Sequence, residues 1–503
     1  MLKNVGSNWI VTLVTIVAVY LLTPYTIHKL GDDGYGTWNL INSITGYLGL
    51  LVLGVPMASV RYFSQHVARG DAAKLNQAIG SCTGMYLMLG GIALVIGVGM
   101  YAFFSFGYRI PVSLHHDASW AFFLMVLFVS TGFIALLPNA VLAAHDDFVP
   151  RNIVRLWGVG LRLVLTLALL ALRASLLLLA VVQLACQAFD FALCWLLVKR
   201  RYPATRIRLS DFDWSTARGI FAFSLYVLVL NAGARLSFET DSMVIGGFMN
   251  VGSIPYFTVA NSFIIYLMEF LVAIAAVVMP AATRLQTQGK KEELREIFLK
   301  WSKIALSLTL VAGLFLIVLG PRFIAWWIDP TFERPAGQVL QILMVSYLIF
   351  LPVRGVALPI LMGLGKAGLP TIGFLAAGVL NLGLSILLVR PLGLAGVALG
   401  TAIPNVLFAL LVLIQACREL DVSVASFARY VIPRAILGGV PVLALLLWFK
   451  LGLDVRSLAS LVVAGVAMVL LFSVLWVFYV CRNDPYIDLR SWLMPRLRAW
   501  GRV

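Results

Sequence analysis

Eight ionisable side chains stand inside or at the edge of long apolar runs of this 503-residue chain: Arg61, Arg162, Arg235 and Arg354, and the acids Asp190, Glu239, Asp241 and Glu269. A charge at the middle of a bilayer costs roughly 2.5 to 3.5 kcal/mol even on insertion scales, so such residues turn toward a wet cavity or an opposite charge. Arginine stays charged when buried and forks its N–H groups onto phosphate or carboxylate oxygens. The four arginines are therefore candidate substrate-binding groups. By residue count Arg162 and Arg235 lie near mid-membrane, Arg354 in the inner third and Arg61 at the inner edge. Each also has a plainer reading: Arg235 and Glu239 are spaced i, i+4 and can close on each other, and Arg61 can simply mark a boundary. The four acids are candidates for coupling to a proton or sodium gradient, since alternating exposure of a carboxylate loads and releases a cation. Their plainer reading is helix-to-helix pairing with the arginines.

Other chemistry is not indicated. No GxxxxGK phosphate loop occurs, so ATP hydrolysis is not expected. Cys82, Cys186, Cys194, Cys417 and Cys481 form no CxxC or Cys/His spacing, so neither a disulfide framework nor a zinc site is read. His115, His116 and Asp117 read as a solvated outer loop. No catalytic residue, metal or cofactor is expected.

The elements that must position these charges are membrane helices. Hydrophobic residues make up 61% of the chain and charged ones 12%, with mean hydropathy +0.96, whereas a soluble domain is about half apolar and about a quarter charged. The net charge of +16 would suit nucleic acid, but the basic residues cluster beside apolar runs, as topology signals do, and no nucleic-acid partner is expected. Runs long enough to cross about 30 Å of hydrocarbon as helix read at 5–28, 37–60, 78–105, 118–144, 153–172, 175–198, 217–246, 255–280, 302–321, 338–363, 370–389, 396–416, 431–449 and 457–481. The fold class is all-α and polytopic, with about fourteen transmembrane helices. The first run lacks a cleavage site and reads as a retained span.

With the N-terminus inside, outer segments hold only Lys29, Arg109, Arg173, Arg322, Arg334, Arg390, Lys450 and Arg456. Apart from buried Arg162, Arg235 and Arg354, the rest of the 38 lysines and arginines lie inside, so both termini are expected in the cytoplasm. The inner stretch 282–301, with KKEELREIFLKW, and the tail with Trp492, Leu493, Leu497 and Trp500 among arginines, suit interfacial helices. Pro352 and Pro359 bracket Arg354, and Pro138 and Pro404 fall inside other spans, where proline permits a kink.

Two stretches about 220 residues apart read alike: LGDDGYGTWNLINS (Leu30 to Ser43) and MNVGSIPYFTVANS (Met249 to Ser262), followed by polar connections ARGDAAKLNQ and QGKKEELREI. Duplicated halves imply two six-helix bundles related by an axis along the membrane normal, and a site between such halves would suit alternating access. The expected division is 1–200, 201–418 and a C-terminal pair of helices with its tail, 419–503.

At these residues a family becomes recognisable. Leu30 to Asp71 resembles the N-terminal signature of Wzx-type polysaccharide exporters in the multidrug/oligosaccharidyl-lipid/polysaccharide superfamily, and Glu239 to Ser262 resembles their seventh-to-eighth span region. One departure stands out: where these exporters commonly carry LDLG, this chain has LVLG (Leu51 to Gly54), with Val52 in place of the acid. The resemblance implies an inner-membrane flippase for undecaprenyl-pyrophosphate-linked repeat units of O-antigen or exopolysaccharide. Its implied partners are that lipid-linked oligosaccharide, membrane lipids, and polysaccharide polymerase and chain-length proteins.

Alternatives are a cation-coupled multidrug exporter or a peptidoglycan-precursor exporter of the same superfamily. The inward arginines oppose cationic drugs, and the first span lacks the arginines typical of the peptidoglycan-precursor flippase. A membrane glycosyltransferase or polymerase would need a sizeable outer loop, which the spacing of spans does not leave.

Overall fold

The computed structural model is described over residues 2–52, 54–221, 233, 235–236 and 239–487. Among these residues the secondary structure is helical throughout, with no strand. The chain divides into two compact units, Met1–Pro255 and Tyr256–Val503.

The first unit contains α1 (Leu2–Leu48), α2 (Val55–Ala68), α3 (Ala72–Gly107), α4 (Val112–Ala144), α5 (Phe148–Leu172), α6 (Leu176–Arg201) and the short α7 (Asp241–Phe248). Then come α8 (Ile254–Thr287), α9 (Lys291–Val318), α10 (Gly320–Trp327), α11 (Glu333–Pro352) and α12 (Leu358–Gly363). The last four are α13 (Gly368–Leu392), α14 (Leu394–Glu419), α15 (Val424–Leu451) and α16 (Leu458–Leu475).

Among the described residues twelve helical stretches are long and apolar enough to cross a membrane. The difference from the expected fourteen lies in two places. The stretch Ile10–Ala68 has 59 residues, about 88 Å at 1.5 Å per residue and far more than one crossing; it covers the first two expected spans. Residues 222–232, 234, 237 and 238 of the expected span 217–246 fall outside the described residues, as does the basic tail after residue 487.

Local breaks differ from the expectation for physical reasons. The loop anticipated near 29–36 is a single residue, Gly31 at φ 70°, between two helical lengths of α1. Only glycine adopts that left-handed conformation without a Cβ penalty. The second expected span is itself broken, by a 3-10 turn at Gly49–Val52 and by Gly54 before Pro56. Val52 lies in this turn. His115, His116 and Asp117 occupy the first turns of α4 rather than a loop. There the Asp117 carboxylate accepts from Ser175 Oγ at 2.8 Å and Leu176 N at 2.5 Å, capping α6.

The first signature copy meets the start of the second, at Val251 and Gly252, inside the first unit. A Cβ on Gly36 would fall 1.8 Å from Val251 O, and one on Gly252 would fall 2.4 Å from Asp33 Oδ1. In the repeat alignment Asp33 corresponds to Gly252. The connection after α6 is strapped along α3: Arg206 N donates to Asn76 Oδ1 at 2.9 Å and Asp213 N donates to Ser81 Oγ at 2.9 Å. In the second unit α9, α15 and α16 share an apolar core that includes Val318, Leu446, Phe449, Leu461 and Phe472.

Candidate functional site

Each unit carries a membrane-embedded arginine beside a cavity. In the first unit Arg162 stands midway along α5 and lines a cavity of about 110 Å³ with Thr23, Tyr35, Trp38, Thr166 and Gln183. Its charge-bearing surroundings are Tyr35 and Cys186, with no carboxylate among them. Thr23 and Thr26 hold their hydroxyls on the helix backbone, donating to Val19 O at 2.8 Å and Leu22 O at 2.7 Å. The sequence signalled Arg162 but not Tyr35, Trp38 or Gln183. The first two stand in the repeated signature, and Gln183 carries no sequence mark of its own.

In the second unit Arg354 sits on a π-helical turn, Val353–Ala357, between α11 and α12. Its guanidinium carbon lies 5.9 Å from the Phe350 ring centre and 5.7 Å from that of Phe374, within cation–π range. Arg354 Nε is buried without a hydrogen-bond partner. Tyr347 and Glu269 are its electrostatic neighbours, with Glu269 exposed on α8. Beside the same turn runs an apolar cavity of about 320 Å³, whose walls include Leu310, Ile349, Pro352, Val353, Ala357 and Ile436.

The remaining charges are placed less openly. Arg235 Nη1 and Glu239 Oε1 are 2.9 Å apart, so the i, i+4 pair is closed. The Arg235 guanidinium lies against Gly46, and Tyr47 Oη donates to Arg235 O at 3.3 Å. Asp241 is 3% exposed at the start of α7. Asp190 on α6 is hydrogen-bonded to Asn139 and has Arg151 and Arg155 as charged neighbours. Arg61 is exposed on α2. No group of three His, Cys, Asp or Glu able to hold a metal ion occurs among the described residues.

A further buried pair escaped the sequence. Lys303 Nζ donates to Asp484 Oδ2 at 2.5 Å, with the side chains 1% and 0% exposed. Tyr430 Oη donates to Asp484 Oδ1 at 2.7 Å, and the N–H groups of Tyr486 and Ile487 donate to the same oxygen. Burial pushes the Asp484 carboxyl up, but these donors outweigh it and hold the group below the ordinary carboxylate range. The lysine lies at the border of an apolar run, and its partner is 181 residues away.

Comparison with known proteins agrees with this architecture. A family described as polysaccharide biosynthesis protein matches residues 81–328. The Bacillus subtilis membrane protein EpsK is 22% identical over 497 residues, covering 96% of this chain and 95% of EpsK. A Shigella flexneri protein named for O-antigen transport is 21% identical over 409 residues, covering 79% of this chain and 93% of that one. Among solved structures, the lipid II flippase MurJ in an inward closed conformation superposes with a TM-score of 0.69 at 14% identity, over 95% of this chain and 99% of MurJ. Matched family, relatives and fold bear out the resemblance read from Leu30–Asp71 and Glu239–Ser262: the chain is a multi-pass membrane protein, similar over residues 81–328 to polysaccharide biosynthesis proteins and sharing the fold of MurJ.

Proposed function

We propose that the protein is a flippase for a lipid-linked oligosaccharide, carrying an undecaprenyl-pyrophosphate-linked repeat unit from the cytoplasmic to the periplasmic leaflet by alternating access. The supporting observation is Arg354: a guanidinium with an unpartnered, buried Nε on the same turn as the wall of an apolar cavity. A phosphate group needs a cation that remains charged in a low-dielectric setting, and arginine supplies it with fixed fork geometry. A prenyl chain needs an apolar groove adjoining that cation. Pro352, Val353 and Ala357 supply one from the turn that carries Arg354.

The closed Arg235–Glu239 pair must open, or act as a unit, if Arg235 is to meet substrate. In this reading the protein sits in the inner membrane of a bacterium with both termini cytoplasmic, as the lysine and arginine distribution suggests. Glu239, Asp241, Glu269 and Asp190 remain the coupling candidates, and polymerase and chain-length proteins the candidate partners.

Complementation of a polysaccharide-flippase-deficient strain is the test. Native chain should restore surface polymer, and Arg354→Ala at matched expression should reduce it at least tenfold, the equivalent of about 1.4 kcal/mol or more of lost substrate interaction. Full activity of the variant would remove Arg354 from the substrate path. Failure of the native chain, with resistance gained against cationic drugs, would favour the multidrug reading.

A further inference from the structure

We infer that the Arg162 cavity of the first unit is a binding site for a small, singly charged anion. Charges in this unit are segregated. Asp190 is answered by Asn139, Arg151 and Arg155, and Glu239 by Arg235. Among the described residues Arg162 has Tyr35 and Cys186 as electrostatic neighbours, and no acid lines its cavity. Along α6 Asp190 stands seven residues beyond Gln183, about 10 Å along the helix, and its charged neighbours are Arg155 and Arg151. An arginine placed mid-helix in an apolar setting demands a counter-charge, and the described residues that line this cavity supply none.

The size and donors of the cavity narrow the ligand. At roughly 10 to 15 Å³ of this measure per water, a cavity of about 110 Å³ takes on the order of seven to eleven waters. That suits chloride with part of its hydration, or one carboxylate, and excludes a pyrophosphate-linked oligosaccharide. A single guanidinium balances one negative charge. Arg162 and Gln183 bring N–H donors to the cavity. Thr23 and Thr26, whose protons are engaged with backbone carbonyls, offer only lone pairs. Two sources share this chemistry: an inorganic monoanion, and a carboxylate on the transported glycan. The inference does not depend on lipid-linked export and stands or falls separately.

Thermal unfolding of the purified full chain tests it, titrating sodium chloride, acetate or glucuronate at ionic strength held constant with the bulky anion of HEPES. The expected result is a saturable rise in midpoint that Arg162→Gln weakens at least about tenfold and Arg162→Lys only about threefold, because lysine keeps the charge but not the fork. Saturation by chloride identifies an inorganic ion; saturation by acetate and glucuronate but not chloride identifies a carboxylate of the cargo. Either supports the site. The absence of saturation, or titrations of native chain and Arg162→Gln that coincide, would overturn it. Should Arg162→Gln fail to accumulate, Gln183→Leu removes a donor without changing charge and should weaken binding about threefold or more. Arg334→Gln, an equal charge change at an exposed position, should leave the titration unchanged, and an effect as large as that of Arg162→Gln would place the cause outside the cavity and refute the inference.

Discussion

Asp484→Asn leaves the Lys303 ammonium 1% exposed and without its counter-charge. Removing one partner of a buried ion pair costs about 3–5 kcal/mol. Asparagine keeps one carbonyl oxygen for Tyr430 Oη and the Tyr486 and Ile487 N–H groups but sets an amide NH2 against Lys303, so at least the lower end, about 3 kcal/mol, is expected. At about 2–4 °C per kcal/mol for a cooperative unit of some 250 residues, the midpoint of thermal unfolding in detergent should fall by roughly 6–12 °C. Lys303→Met should do similar damage by stranding the carboxylate, although its neighbour Tyr430, whose ring centre is 4.7 Å from Nζ, remains as a donor. The double variant Lys303→Met/Asp484→Asn removes both charges and should recover most of the loss, within about 1–2 kcal/mol of native, since replacing a buried pair outright is often near neutral. The sign with pH follows from the lowered carboxyl. Its contribution is full above the unfolded value near 3.9 and disappears as pH falls through the still lower folded value, so the variant-to-native difference should be flat from about pH 5 to 8. If the double variant loses the sum of the single effects, the two groups are not coupled and the reasoning fails.

Other outcomes follow from the same geometry. Gly36→Ala sets a Cβ 1.8 Å from Val251 O, a backbone atom that cannot step aside, and should abolish monodisperse protein on gel filtration. Gly99→Ala, with nothing within 4 Å of its Cβ, should elute as native. Asp213, held down to about 2 by hydrogen bonds from Ser215 and Thr216, keeps its cap charged at all ordinary pH. Protection of the Thr216 amide, measured by hydrogen exchange and corrected for intrinsic rate, should therefore be unchanged from pH 7 to pH 4, whereas Asp213→Ala should lose it at both.

How much was legible in the sequence depends on the range over which each feature is determined. Apolar run length decides helix or not, so the all-helical, multi-span architecture was readable from residues adjacent in the chain. The Arg235–Glu239 pair was readable for the same reason, because i, i+4 spacing alone brings the groups together. Gly31 was misread as part of a loop: LGDDG has turn composition, and one left-handed residue proved sufficient. The partners of the remaining charges were hidden. Whether Arg162 meets an acid depends on which residues of α1, α5 and α6 share its level, and whether Lys303 is buried depends on a loop 181 residues away. Those are facts of packing, which periodicity does not encode.

A π turn is an α-helix carrying one residue in surplus, and at 3.6 residues per turn that residue is worth about 100° of rotation. The turn at Val353–Ala357 closes with Leu358 N donating to Val353 O, five residues back. Such a surplus can travel: each N–H that changes its acceptor between the fourth and the fifth residue back hands it one position along, as a dislocation passes through a crystal. Pro352 and Pro359 fence the defect, since neither has an N–H to exchange. Arg354 stands inside the fence. Moving the surplus from one side of it to the other turns its guanidinium by about 100° around the helix axis while α11 and α12 keep their places. The chain can thus re-aim a charged group by exchanging single hydrogen bonds, without unwinding a helix or displacing one.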